Sequence, residues 1–136
     1  MLITGGSGRA RVTGMADGED GAVAFFDSSP LGLALFRAVA EAIASIGEAD
    51  VRVTKSQIAF RRRKGFAYVW RPDRYLTSDV PAVLSIALPD EVRSPRFKQV
   101  AHPAPRVWMH HLELRDTAEI DDEVRGWLAA AFANAS

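Results

Sequence analysis

The stretch Gln57-Ile58-Ala59-Phe60-Arg61-Arg62-Arg63-Lys64-Gly65-Phe66-Ala67-Tyr68-Val69-Trp70-Arg71 holds two short runs of branched and aromatic residues. The link between them, Arg63-Lys64-Gly65, leaves no room for a crossover, so the runs 57–62 and 66–71 must form an antiparallel hairpin. The same period of two recurs at Val51 to Thr54, Ala82 to Leu88, Phe97 to His102 and Arg106 to Leu114, with proline and glycine dividing the runs. All of these are expected strands, and short links between them favour a meander.

On both sides of this β region the pattern becomes helical. Ser29 is placed to cap a helix that begins at Pro30, and Gly47 to end it. Leu35, Val39, Ile43 and Ile46 fall on one stripe, with Phe36 beside them. A second helix is expected from about Asp121, where Asp121, Asp122 and Glu123 complement the positive end of the helix dipole. Val124, Trp127, Leu128 and Ala131 give it one apolar face. The expected fold class is therefore α+β, a mainly antiparallel sheet with two helices packed on one face. Leu35, Val39, Ile43, Leu84, Ile86, Leu112, Val124, Trp127 and Leu128 should then be buried.

A chain of 136 residues that is 48% hydrophobic and 25% charged supports one ordinary core. Residues 1–20, rich in glycine and poor in apolar clusters, read as a flexible arm ahead of a single domain over 21–136. Thr4-Gly5-Gly6-Ser7-Gly8 imitates the glycine turn of a dinucleotide fold but lacks the strand before it and the helix after it, so no cofactor is expected. Seventeen basic residues balance seventeen acidic ones, and no global field gathers polyanions. The absence of cysteine excludes disulfides, thiol catalysis and thiolate metal sites. The longest apolar run, Leu31 to Ile46, is broken by Arg37 and Glu41 and falls short of the roughly 20 residues that span a bilayer. No leader peptide is visible, so a cytoplasmic location without membrane attachment is the expectation.

Several pieces in order carry a family resemblance. They are Leu35-Phe36 through Ile46-Gly47, Val53-Thr54-Lys55-Ser56-Gln57-Ile58-Ala59-Phe60, Gly65-Phe66-Ala67, Ser94-Pro95-Arg96-Phe97, His110-His111 before Leu112, and Ile120-Asp121-Asp122-Glu123-Val124 leading to Trp127-Leu128 and Ala131. From about Ser29 to Phe132 the chain resembles the bacterial family of domains of unknown function numbered 5655. Many members carry a cysteine-rich, zinc-ribbon-like segment ahead of this domain, and this cysteine-free chain departs from that pattern. The family has no assigned reaction, so the resemblance implies a fold and its boundaries.

Three groups of residues are candidate sites. Arg61-Arg62-Arg63-Lys64 sits at a hairpin tip ahead of Phe66, Tyr68 and Trp70 on alternate positions, and cations beside rings suit single-stranded nucleic acid. The same pattern also describes a charged turn beside aromatics that fill a core. In the strand 106–114, alternation sets Val107, Met109, His111 and Glu113 on one face, with His111 and Glu113 forming a potential acid–base pair. A metal site needs three or more ligands, and only His102 remains as a further imidazole there, so no metal is expected. Finally, Lys55, Arg61 and Arg96 are cations suited to a carboxylate or phosphate, or to ion pairs with Asp90, Glu91 or Glu113.

With no nucleophile in a recognisable setting, the expected function is a non-enzymatic binding or interaction domain. Its surface is the helix-free sheet face, with Lys55, Arg61, Tyr68, Trp70, Arg96, Met109 and His111 as binding residues and a small molecule, a protein or a second copy of the chain as partner. The alternatives are a nucleic-acid accessory module using the basic hairpin and a small hydrolase or isomerase using His111 and Glu113. A strand register shifted by one residue would instead bury the aromatics of 66–70.

Overall fold

The computed structural model describes residues 18–74 and 78–136. In it six strands form one sheet: β1 (Asp50–Val53), β2 (Ile58–Arg61), β3 (Gly65–Trp70), β4 (Ala82–Leu88), β5 (Gln99–Ala104) and β6 (Val107–Leu114). Every pairing is antiparallel, in the order β1-β2-β3-β4-β6-β5. The expected meander therefore runs only as far as β4. Beyond it β6 takes the inner place and β5 the edge. Composition explains the exchange: β6 carries Leu112 and Leu114, both buried, whereas β5 is largely exposed and contains Pro103, which has no N–H for a ladder.

The register sorts the side chains onto two faces. Val53, Ile58, Val69, Leu84 and Leu112 make one row across five strands. Val51, Phe60, Ala67, Ile86, His110 and Val100 make the next. Helices α2 (Pro30–Ile46) and α3 (Asp122–Asn134) cover these rows. Ser29 caps α2 by accepting from the Gly32 N–H at 3.2 Å, and Asp121 caps α3 by accepting from Val124 at 3.1 Å. The Phe36 ring of α2 stacks on Phe60 at 5.8 Å between centroids. Of the side chains expected in the core, all but Trp127 are buried; Trp127 is half-buried against the Phe97 ring.

A third helix, α1 over residues 18–25, was not legible as one. Residues 18–20, which glycine content assigns to an arm, are helical, while residues 1–17 lie outside the described residues. The glycines act here by closeness: a Cβ on Gly21 would lie 2.8 Å from Val53 Cγ2, and one on Gly18 would lie 2.6 Å from Val51 Cγ1. Their bare backbone lets α1 settle on β1, on the covered face. Phe25 and Phe26 at its end join the core. Arg71, only 7% exposed, fastens this end of the chain to β3 by donating to the carbonyls of Phe25 (3.0 Å) and Asp27 (2.9 Å) and to the carboxylate of Asp73.

At the β2–β3 hairpin the register shifts between Phe60 and Arg61. This bulge turns Phe66 into the core, edge-on to Phe132 at 5.6 Å. The expected file of Phe66, Tyr68 and Trp70 on one face is corrected to Tyr68 and Trp70 alone. The basic tip is likewise part of the fold: Arg62 donates to the Phe132 carbonyl at 2.9 Å, with its guanidinium 4.0 Å over that ring, and the Arg63 N–H donates to the Ala135 carbonyl. Cations and donors at a helix C-terminus satisfy its free carbonyls and complement its dipole.

Two glycine substitutions separate these roles. Gly126→Ala, in α3 with open space around it, is expected to raise stability by about 0.5–1 kcal/mol. Gly21→Ala carries the same gain in helix propensity but meets the stiff Val53, so urea unfolding should show it less stable than the wild type. A gain at Gly21 equal to that at Gly126 would refute the close approach of α1.

Candidate functional site

The helix-free face follows from the same register. Ala59, Tyr68, Ser85, His111 and Gln99 form its central row. Trp70, Val83 and Glu113 flank it on one side, and Ala87, Met109 and Ala101 on the other. Tyr68, Trp70, Met109 and His111, read from sequence as a binding surface, therefore share one face and adjoin one another. All of them are half-buried, and Val83 and Ser85 between their strands are buried.

Ser85 links the group. The Trp70 Nε1–H donates to Ser85 Oγ at 3.2 Å, and that oxygen lies 2.6 Å from His111 Nδ1. An indole nitrogen can only donate, so Ser85 accepts from Trp70; its buried hydroxyl has no acceptor but His111 Nδ1 among the described residues, and the arrangement that satisfies its proton places it there. Nδ1 is then the acceptor, and the neutral ring carries its proton on Nε2. Burial holds His111 below the ordinary imidazole range and favours this neutral form. In the sequence Ser85 stands in no nucleophile-elbow context. The available signal was its position, one polar residue centred in the apolar run of β4 and alternating with Leu84 and Ile86.

A serine bonded to a histidine has the look of a nucleophile and its base. Here Ser85 is 3% exposed, with its hydroxyl between two ring nitrogens. Glu113, on the same face, contacts Arg115 at 3.3 Å, and Arg115 also reaches Asp79 at 3.3 Å. His110, on the covered face, is fully buried: Nε2 accepts from the Val92 N–H at 2.9 Å and Nδ1 donates to the Trp108 carbonyl at 2.9 Å. Both ring nitrogens serve the fold. Among the described residues no three His, Asp or Glu side chains are grouped to hold a metal ion, and no helix is long and apolar enough to cross a membrane.

The cations expected beside the face do not converge on it. Arg96 lies against α3, donating to Asp121 (3.0 Å), Glu123 (2.9 Å) and the Glu119 carbonyl, 5.8 Å from the centre of the Trp127 ring. The Val124 N–H, and after it Arg96, hold the Asp121 carboxyl below its usual range. Lys55 is exposed in the β1–β2 turn, where Thr54 and Gln57 bond to each other. Arg61 ends β2, at the other end of that strand from the turn that carries Lys55, and lines a hollow of about 380 Å³ with Glu48, Asp50 and Phe132. The structure thus joins Tyr68, Trp70, Met109 and His111 through Ser85, sets Arg61 at a corner, and puts Lys55 and Arg96 elsewhere.

The lowered basicity of His111 has a sign that can be measured. Below about pH 6.5 the unfolded chain binds a proton at this position that the folded chain resists. Stability linked to His111 is complete above that pH and declines as the pH falls toward the folded value. Between about pH 7.5 and 5.5 the urea midpoint of the wild type should therefore drop further than that of His111→Gln. Equal drops would show that the ring is not held neutral.

No curated protein and no solved structure matches the chain significantly. One family model does, that of the Domain of unknown function (DUF5655), over residues 24–135, which takes in the sheet, α2, α3 and the whole helix-free face. With most of its length matched, the chain belongs to the DUF5655 family.

Proposed function

We propose that this chain is a non-enzymatic binding domain whose small-molecule ligand lies on the helix-free face against Tyr68, Trp70, Met109 and His111. The observation that carries the proposal is the Trp70–Ser85–His111 chain of hydrogen bonds. It fixes one imidazole tautomer, and the half-buried ring turns its remaining donor, Nε2–H, away from Ser85. Rings and a thioether adjoin that donor, and they favour a flat molecule that brings a hydrogen-bond acceptor. A carbonyl compound meets both requirements. A catalytic reading of His111 is less well supported, because its partner hydroxyl is buried and Glu113 is engaged with Arg115. A nucleic-acid role for the basic hairpin has lost Arg62 to the end of α3. A cytoplasmic setting suits a chain without cysteine.

Planar carboxamides, beginning with benzamide, provide the test. Saturable shifts of the Trp70 indole N–H and of β4 and β6 amides are expected in nuclear magnetic resonance spectra of the wild type. His111→Ala should weaken binding about tenfold or more while melting as a folded protein, since it deletes the donor and leaves the core intact. If compounds bind elsewhere, or bind the variant equally well, the proposal fails. Should Trp70→Ala with His111→Ala instead convert a dimer to a monomer, the face is occupied by a second copy of the chain.

A further inference from the structure

At the end of the sheet beside the C-terminus of α3, Phe66, Tyr68, Ala87, Met109 and the α3 residues Ala131 and Asn134 line a cavity of about 60 Å³, with the exposed Lys64 and Arg106 also in its wall. Gly65 makes room for it: any side chain there would collide with the Tyr68 hydroxyl, so that ring reaches down to the hairpin turn. The two cations come from different turns, Lys64 between β2 and β3 and Arg106 between β5 and β6. Neither side chain has an ion pair or hydrogen bond among the described residues. Neither bonds to the nearby end of α3, where Arg62 and the Arg63 N–H take the Phe132 and Ala135 carbonyls. Arg106 also stands at φ 60°, in the left-handed region where glycine is at ease and other residues are strained. The two-residue turn Pro105-Arg106, closed by the Ala104–Val107 pair, calls for that angle and holds the guanidinium out from the sheet end.

We infer that this cavity is a subsite for a short-chain, unbranched monocarboxylate, with its aliphatic end between Tyr68 and Met109 and its carboxylate on Lys64 and Arg106. The inference rests on the reading of the helix-free face as a binding surface, with which it shares Tyr68 and Met109. It adds a second ligand, separate from the carbonyl compound that His111 would meet. Size selects the tail: cavities that take benzene are nearer 150 Å³, so a ring is excluded and a few carbons fit. Charge selects the head, because paired cations bind a carboxylate through charge-assisted hydrogen bonds.

Titration of the full chain with butyrate, followed by amide resonances, tests this directly. Saturable shifts are expected at Gly65, Ala87, Val107 and Met109, with acetate (no tail) and butanol (no charge) each binding at least about fivefold more weakly. Arg106→Gly and Lys64→Ala should each weaken butyrate about tenfold, and Arg106→Gly should melt no lower than the wild type because it relieves the left-handed backbone. A helix-capping role alone would lower its melting temperature instead. Unsaturable shifts, butanol equal to butyrate, or undiminished binding by both variants would overturn the subsite. His111→Ala separates the two proposals: the subsite predicts unchanged butyrate affinity in it, whereas carboxamide binding should be lost. Carboxamide binding that survives there, with butyrate still dependent on Arg106, would remove the His111 reading and keep the subsite.

Discussion

The pairing of β4 with β6 is the contact on which the rest of the molecule depends. Its register sets Leu84 opposite Leu112 on the covered face and Ser85 opposite His111 on the other. Because side chains alternate strictly along a strand, these are one fact: the pairing that buries the leucines under α2 and α3 also brings the serine to the imidazole. A slip of β6 by one residue would turn Leu112 and Leu114 to the open face and put His111 and Glu113 in the dry layer. The cost of burying unpaired polar groups and exposing leucines holds the strands in place. The candidate site is thus stabilised by the core beneath it.

The two halves of the histidine pair show how environment divides identical side chains. His110 and His111 are adjacent and point to opposite faces. His110 has both nitrogens committed to backbone groups, Val92 N–H and Trp108 carbonyl, and packs against Phe97. His111 has one nitrogen committed, to a serine that is itself held by an indole. Only His111 retains a polar atom with which to meet another molecule. The basic hairpin divides in the same way, with Arg62 closing the end of α3 and Lys64 left beside a cavity.

What the sequence made legible were the features set by neighbours in the chain. Ser29-Pro30 and Asp121 mark their helices because caps act over three residues, and the hairpin followed from a link too short to do otherwise. The faces of β3 and β6 followed from alternation, apart from Phe66, which a bulge turns inward. Features set by distant partners were not legible. Arg62 bonds 70 residues along the chain, and Arg96 reaches carboxylates 25 and 27 residues on, so neither could be taken out of the list of surface cations beforehand. Gly18 looks like loose chain until Val51 is beside it. Ser85 acquires meaning only when Trp70 and His111 flank it.

The central claim is that Ser85 holds His111 as a neutral ring with its proton on Nε2. Long-range proton–nitrogen correlation spectra of the imidazole report that tautomer directly. At neutral pH the account predicts an unprotonated Nδ1 and a protonated Nε2 for His111 in the wild type, with Ser85→Ala mixing the two tautomers. A proton found on Nδ1 of His111 in the wild type, or a tautomer indifferent to the loss of Ser85, would contradict it.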